Sequence, residues 1–185
     1  SILSKSKSAD SIKYPNSNEV LVDEYSTCKY NPDGTSKTWN DSYLKILTEK
    51  GKKDNRTLTF HFTLPYSTIE VKSLEILKPN GTVSKVNIKQ QSRIMIDNSQ
   101  MYSNIYNPND KLLKVNIPNL QLGDVIHYAT ERNSTKTVMP DSWYDLNLFE
   151  NTFPIEHAIY KVIAPKELPL QKKVILDQFN KSITY

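Results

Sequence analysis

A single thiol, three imidazoles and twenty carboxylates are the groups in this 185-residue chain that could carry chemistry. Cys28 is the one possible thiol nucleophile, and it lies in a strand-like run beside Thr27 and Lys29. It has neither a helix N-terminus nor a neighbouring imidazole to favour the thiolate. A spatial pairing with His61, His127 or His157 is open, but each imidazole alternates within a strand pattern or flanks one, which reads as a solvent-facing or core-edge position. The histidines are too far apart for a His-x-x-x-His motif, and one cysteine makes no Cys-x-x-Cys, so no metal-ligand spacing is present. Asp97, Asp110 and Asp124 sit near turns without the spaced Asp-x-Asp-x-Asp loop that calcium requires. No Gly-rich phosphate loop occurs among four glycines. The expectation is therefore a region that is not an enzyme, with no catalytic residue, no cofactor and no metal.

Binding groups are easier to find than reactive ones. Tyr102 and Tyr106 lie in an Asn-, Ser- and Pro-rich stretch, and Trp143 and Tyr144 follow the turn at Pro140. Aromatic side chains in loops can stack on a sugar ring or anchor a peptide. The same four can also cover the ends of a sandwich or a neighbouring domain. They are the candidate binding residues, for a glycan, peptide or protein ligand.

The elements that must position them are written mainly as strands. Ten prolines, eleven tyrosines and four glycines, with abundant Thr, Val and Ile, favour pleated structure over helix. Leu58, Phe60, Phe62 and Leu64 alternate with Thr57, Thr59, His61 and Thr63, the pattern of a strand with one buried face. Asn31-Pro32-Asp33-Gly34 and Pro79-Asn80-Gly81-Thr82 are hairpin turns. The first strand runs from Val20 to Tyr30, and its return is expected through Thr48, with Gly51 ending it. The apolar phase carried by Ile69 and Val71 slips at Ser73, which predicts a bulge or a strand that changes sheet. Pro118 closes the run Leu113, Val115, Ile117, and Gly123-Asp124 turns the chain into a strand from Val125.

Ser99 to Asp110 reads as a long loop with one helical turn, Ala158 to Ala164 as a strand, and Val174 to Leu176 with Ile183 to Tyr185 as a last hairpin. The fold class is all-β, an antiparallel β-sandwich with long loops and at most short helical turns. Residues 1–18 read as a flexible leader with almost nothing to bury, and residues 19–185 as one domain, an excised amino-terminal module of a larger protein. The net charge of +4 is dispersed as single lysines, so nucleic acid is not an expected partner. No apolar run approaches the roughly 18 to 20 residues of a membrane-spanning helix. Ser4-Lys5-Ser6-Lys7-Ser8 follows only Ile2 and Leu3, so no signal peptide is visible.

Several landmarks fall in a fixed order: Val20-Leu21-Val22-Asp23-Glu24-Tyr25, Asn31-Pro32-Asp33-Gly34-Thr35, Leu44 to Gly51, Ile76 to Val83, Pro118 to Tyr128, and Phe153-Pro154-Ile155. In that order they resemble the bacterial domain of unknown function family 3857. That module precedes transglutaminase-like cores in many envelope-associated or secreted proteins of Bacteroidetes-type organisms. The resemblance spans roughly Glu19 to Pro169. It implies a non-catalytic, mainly antiparallel sandwich, exported to the periplasm or cell surface, whose partner is a downstream papain-like Cys-His-Asp domain in the same polypeptide. It carries no catalytic motif, so no functional residue transfers with it.

Overall fold

The computed structural model describes residues 2–171. Among the described residues nine strands build two unequal sheets. Strands β1 (Glu19–Tyr30) and β2 (Ser36–Ile46) form the first hairpin, followed by β3 (Thr57–Thr63), β4 (Ser67–Leu77), β5 (Val83–Lys85), β6 (Ser92–Ile96), β7 (Asp110–Asn116), β8 (Val125–Ser134) and β9 (Ala158–Ile163). The larger sheet has the order β5-β4-β8-β2-β1-β9 and the smaller one β3-β7-β6. Helices are short: α1 (Ile2–Ser8), α2 (Glu49–Asp54), α3 (Ile88–Gln91) and a 3-10 turn at Met101–Ser103. Among the described residues no helix is long and apolar enough to cross a membrane.

The expected alternation of β3 places Leu58 and Phe62 in the core, with Phe60 and Leu64 packed against it. The smaller sheet lies over the β4–β8 part of the larger one, and Val71, Leu74, Ile76, Leu113, Val115 and Ile126 close the space between them. Burying such side chains stabilises each by about 1.5–3 kcal/mol relative to exposure. The slip expected at Ser73 is a register shift in the β4–β8 ladder between Val71 and Ser73. Pairings between these strands are antiparallel except that β9 runs parallel to β1, Glu24 opposite Ala158 through Lys29 opposite Ile163, with a parallel bridge from Leu21 to Ile155 just before it.

Two expectations change. The return strand of the first hairpin stops at Ile46 rather than Thr48, because Thr48 caps a helix by accepting from Gly51 N at 3.0 Å. Gly51 sits inside α2, where a Cβ would lie 2.2 Å from the Asn18 carbonyl, so the glycine serves close approach and not strand termination. Secondly, residues 2–18, expected to bury almost nothing, lie against the sheet: Ala9 is fully buried with Val20 and Val22, and Ile2 and Tyr14 pack on that cluster. Lys45 Nζ donates to the Ser6 carbonyl at 2.6 Å and Lys13 Nζ to Glu156 at 2.6 Å. The hairpin expected from Val174 to Tyr185 lies outside the described residues.

Candidate functional site

Registers across the larger sheet define what its inner face carries. Ile69, Val71 and Leu74 on β4 face Arg132, Thr130 and Tyr128 on β8. These in turn face Thr38, Asn40 and Ser42 on β2, which face Cys28, Ser26 and Glu24 on β1. Val162, Tyr160 and Ala158 on β9 complete the rows. The face thus changes from apolar to polar as it leaves the part under the smaller sheet. Phe60 meets Tyr128 edge-on at 5.9 Å, and Arg132 donates to the His61 carbonyl at 2.8 Å, marking where the cover by β3 ends.

Beyond that line the cover is the connection 135–157. Trp143 stacks on Tyr30 with centroids 4.4 Å apart and planes 2° from parallel. Tyr160 donates to Asp145, and Tyr30 donates to the Leu168 carbonyl at 2.6 Å. A Cβ on Gly34 would lie 2.1 Å from the Ser142 carbonyl, and φ there is +85°, so the hairpin tip and the connection can meet only at glycine. Beneath lies a hydrogen-bonded row: Asn40 Nδ2 donates to Ser42 Oγ at 2.7 Å, Ser42 Oγ to Glu24 Oε2 at 2.8 Å, and Ser26 Oγ to Asn40. Ser42 is fully buried, so these bonds satisfy groups that would otherwise be costly.

The electrostatics follow from this cover. Burial and then the Asp145 carboxylate push the Tyr160 phenol up, and burial raises Tyr128 and Tyr30 too. All three remain protonated hydrogen-bond donors at neutral pH. Burial lowers the Arg132 guanidinium while Asp145 pulls it back.

The four candidate binding residues divide between two loops at one end of the sandwich. Tyr102 and Tyr106 ride the β6–β7 connection and are 88% and 57% exposed. Trp143 and Tyr144 ride 135–157; Tyr144 is 84% exposed, whereas Trp143 has one ring face taken by Tyr30. On the first loop Met101 and Ile105, and on the second Val138, Leu146, Leu148 and Phe149, are also exposed. Exposed apolar side chains that follow one another along a loop can serve as an interaction surface. Sequence reasoning found the aromatics but not the exposed aliphatic side chains beside them along each loop.

The reactive candidates are not brought together. Cys28 is buried, and its titratable neighbours are the phenols of Tyr30 and Tyr160. Each imidazole is held by carboxylates: His61 by Asp97 at 3.2 Å, His127 by Asp41 at 2.9 Å and Glu75 at 3.4 Å, and His157 by Asp23 at 2.5 Å. Asp124 accepts from Gln121 N at 2.7 Å and Lys78 Nζ at 2.6 Å, which is turn chemistry. Among the described residues no group of three or more His, Cys, Asp or Glu side chains could hold a metal ion.

Two unequal sheets, the larger covered half by the smaller and half by a long connection, define an all-β sandwich module. The chain belongs to the domain of unknown function family DUF3857, whose model matches residues 32–183. No curated protein matches it. Among solved structures it is similar to a "putative protease" from Parabacteroides distasonis, at a TM-score of 0.68 and 14% identity, over 82% of this chain and 30% of that one. The chain therefore spans less than a third of that protein's length. A CBM3a-L domain from the scaffoldin of Clostridium thermocellum aligns at a TM-score of 0.35 and 13% identity, over 64% of this chain and 69% of that one.

Proposed function

We propose that this chain is a non-catalytic accessory module that seats a transglutaminase-like, cysteine protease-like domain of the same polypeptide, at the cell envelope or outside it. The observation that carries the reading is the run of exposed apolar side chains along the connection 135–157: Val138, Met139, Tyr144, Leu146, Leu148 and Phe149. Strand β9 ends opposite Lys29, one residue before the end of β1, so the polypeptide leaves the sheet at the end where that connection begins, Ser134 lying opposite Ser36. A fold that fills 30% of a longer related chain supplies the setting in which such a surface would be covered.

The test has two parts. The coding sequence beyond Tyr185 is expected to contain a Cys, a His and an Asp in papain-like order; a stop or an unrelated domain overturns the reading. In the complete polypeptide, amides in 136–151 are expected to exchange at least about tenfold more slowly than in the 185-residue chain. Equal rates would put the partner elsewhere. Amide or thioester hydrolysis by the 185 residues alone, abolished in Cys28→Ala, would make the module an enzyme in its own right.

The competing reading is a free-standing glycan- or peptide-binding sandwich that uses the same loop aromatics, and the exposure of Tyr102 and Tyr144 favours it. Tryptophan fluorescence titrated with cell-wall glycans separates the two. A saturable shift lost in Trp143→Ala supports binding, and silence across the panel leaves the accessory reading ahead.

A further inference from the structure

The opposite, outer face of the larger sheet holds a cleft of about 330 Å³ lined by the side-chain rows of Asp23, Tyr25, Asp41 and Tyr43, by His157, and by Glu24 where the chain passes between Asp23 and Tyr25. Strand register builds it: Asp23 faces Tyr43 and Tyr25 faces Asp41 across the β1–β2 ladder, and Tyr43 faces His127 across β2–β8. His157 reaches it from the residue before β9, its carbonyl accepting from Glu24 N at 3.0 Å. We propose that this cleft binds a neutral polyhydroxylated ring, a pyranose unit of a glycan chain. The proposal stands without any partner domain and uses none of the loop aromatics.

Three features select that ligand. The Tyr43 ring lies 4.1 Å from the His127 ring and 4° from parallel, so it is fixed before any ligand arrives, and Tyr25 beside it is 47% exposed. A fixed ring beside an exposed one provides the flat apolar wall against which a sugar's C–H face packs. The polar groups are also set in advance. Asp41 accepts from His127, while Asp23 accepts from Lys5 Nζ at 2.7 Å and from His157, leaving each carboxylate further lone pairs for hydroxyl donors. Burial and the nearby charges of Asp41, Glu75 and Asp23 push the Tyr43 phenol up, which keeps it a donor.

The alternatives fit less well. A cationic ligand would have to displace the Lys5 ammonium and compete with two imidazoles already on these carboxylates. An extended peptide finds no free ladder here, because β1 is paired on both sides, with β2 and β9. The volume stands at the lower end of small-molecule sites, which run from about 300 to 1,000 Å³.

The test is a titration of the isotopically labelled chain with cello-, xylo-, manno- and chitotetraose, followed by NMR. At least one sugar is expected to give saturable shifts centred on Tyr25, Tyr43, His127 and His157. Tyr25→Ala and the near-isosteric Asp41→Asn, both at exposed side chains, are expected to weaken that binding about tenfold, with Val83→Ala, exposed on the far edge strand β5, unchanged. The proposal is overturned by silence from all four sugars up to about 10 mM. It is equally overturned by shifts confined to the loops that carry Tyr102 and Tyr144, by affinity unaltered in both variants, or by tetralysine saturating the cleft while the sugars do not.

Discussion

The two halves of the larger sheet's inner face share the same strands' geometry but are closed in opposite ways. Under the smaller sheet, Val71, Leu74 and Ile126 meet Leu113 and Val115, and the interior is apolar. Under the connection 135–157, Glu24, Ser26, Asn40 and Ser42 bond to one another, and the Trp143–Tyr30 stack with the Tyr160–Asp145 hydrogen bond holds the cover down. A regular sheet satisfies its own backbone groups and so can present an unbroken hydrocarbon face. Where an irregular segment forms the cover, the floor is polar and its side chains satisfy one another. The first half carries stability. The second exchanges some stability for a cover whose outer side is free to be apolar.

That contrast can be broken or sharpened by measurement. Ile126→Ala, under the smaller sheet, is expected to cost about 3 kcal/mol in urea unfolding. Ser42→Ala, equally buried under the connection, is expected to cost about 1 kcal/mol. Equal losses would erase the distinction. Trp143→Ala is expected to cost about 1 kcal/mol and, more tellingly, to open 135–157 to protease nicking while the two sheets stay folded. If the whole chain is digested together, the connection is part of the main cooperative unit. Paired Tyr144→Ser and Leu148→Ser changes on the outer side are expected to shift stability by less than about 0.5 kcal/mol, because those side chains are already in water.

The smallest effect is electrostatic. Hydrogen bonds from Lys37 and Asn133 hold the Glu131 carboxyl down at about 2, from an ordinary 4.5. A depressed carboxyl contributes stability above its unfolded value and loses it as pH falls, so this contribution should fade between about pH 4.5 and pH 2. Glu131→Gln is expected to flatten that limb of an acid titration slightly, since the pair sits at the surface. An unchanged limb would leave the ion pair without thermodynamic weight.

Much of the frame was legible in the chain itself. Leu58, Phe60, Phe62 and Leu64 announce a face, Gly34 and Gly81 announce hairpins, and the slip at Ser73 announces a bulge, because each depends on neighbours a few residues apart. Gly51 misleads for the opposite reason. Its role is set by the Asn18 carbonyl, far along the chain, and only the fold brings them together. The leader is similar: Ser6 and Ala9 look like loose polar chain until β1 and β2 supply a surface for them. The loop aromatics could be named from composition, but not the stacking of Trp143, which needs Tyr30. Least legible is the outer cleft, where Asp23 and His157 meet across 134 positions of sequence.

The parallel seam between β1 and β9 has a mechanical consequence. Tension applied between the start of β1 and the end of β9 pulls the two strands lengthwise in opposite directions. Their cross-links from Glu24–Ala158 to Lys29–Ile163 are then loaded together, as in shear, rather than opened one at a time like a zip. A tether drawn taut along that axis would yield abruptly and late, whereas the antiparallel β1–β2 hairpin pulled from its two open ends would part link by link.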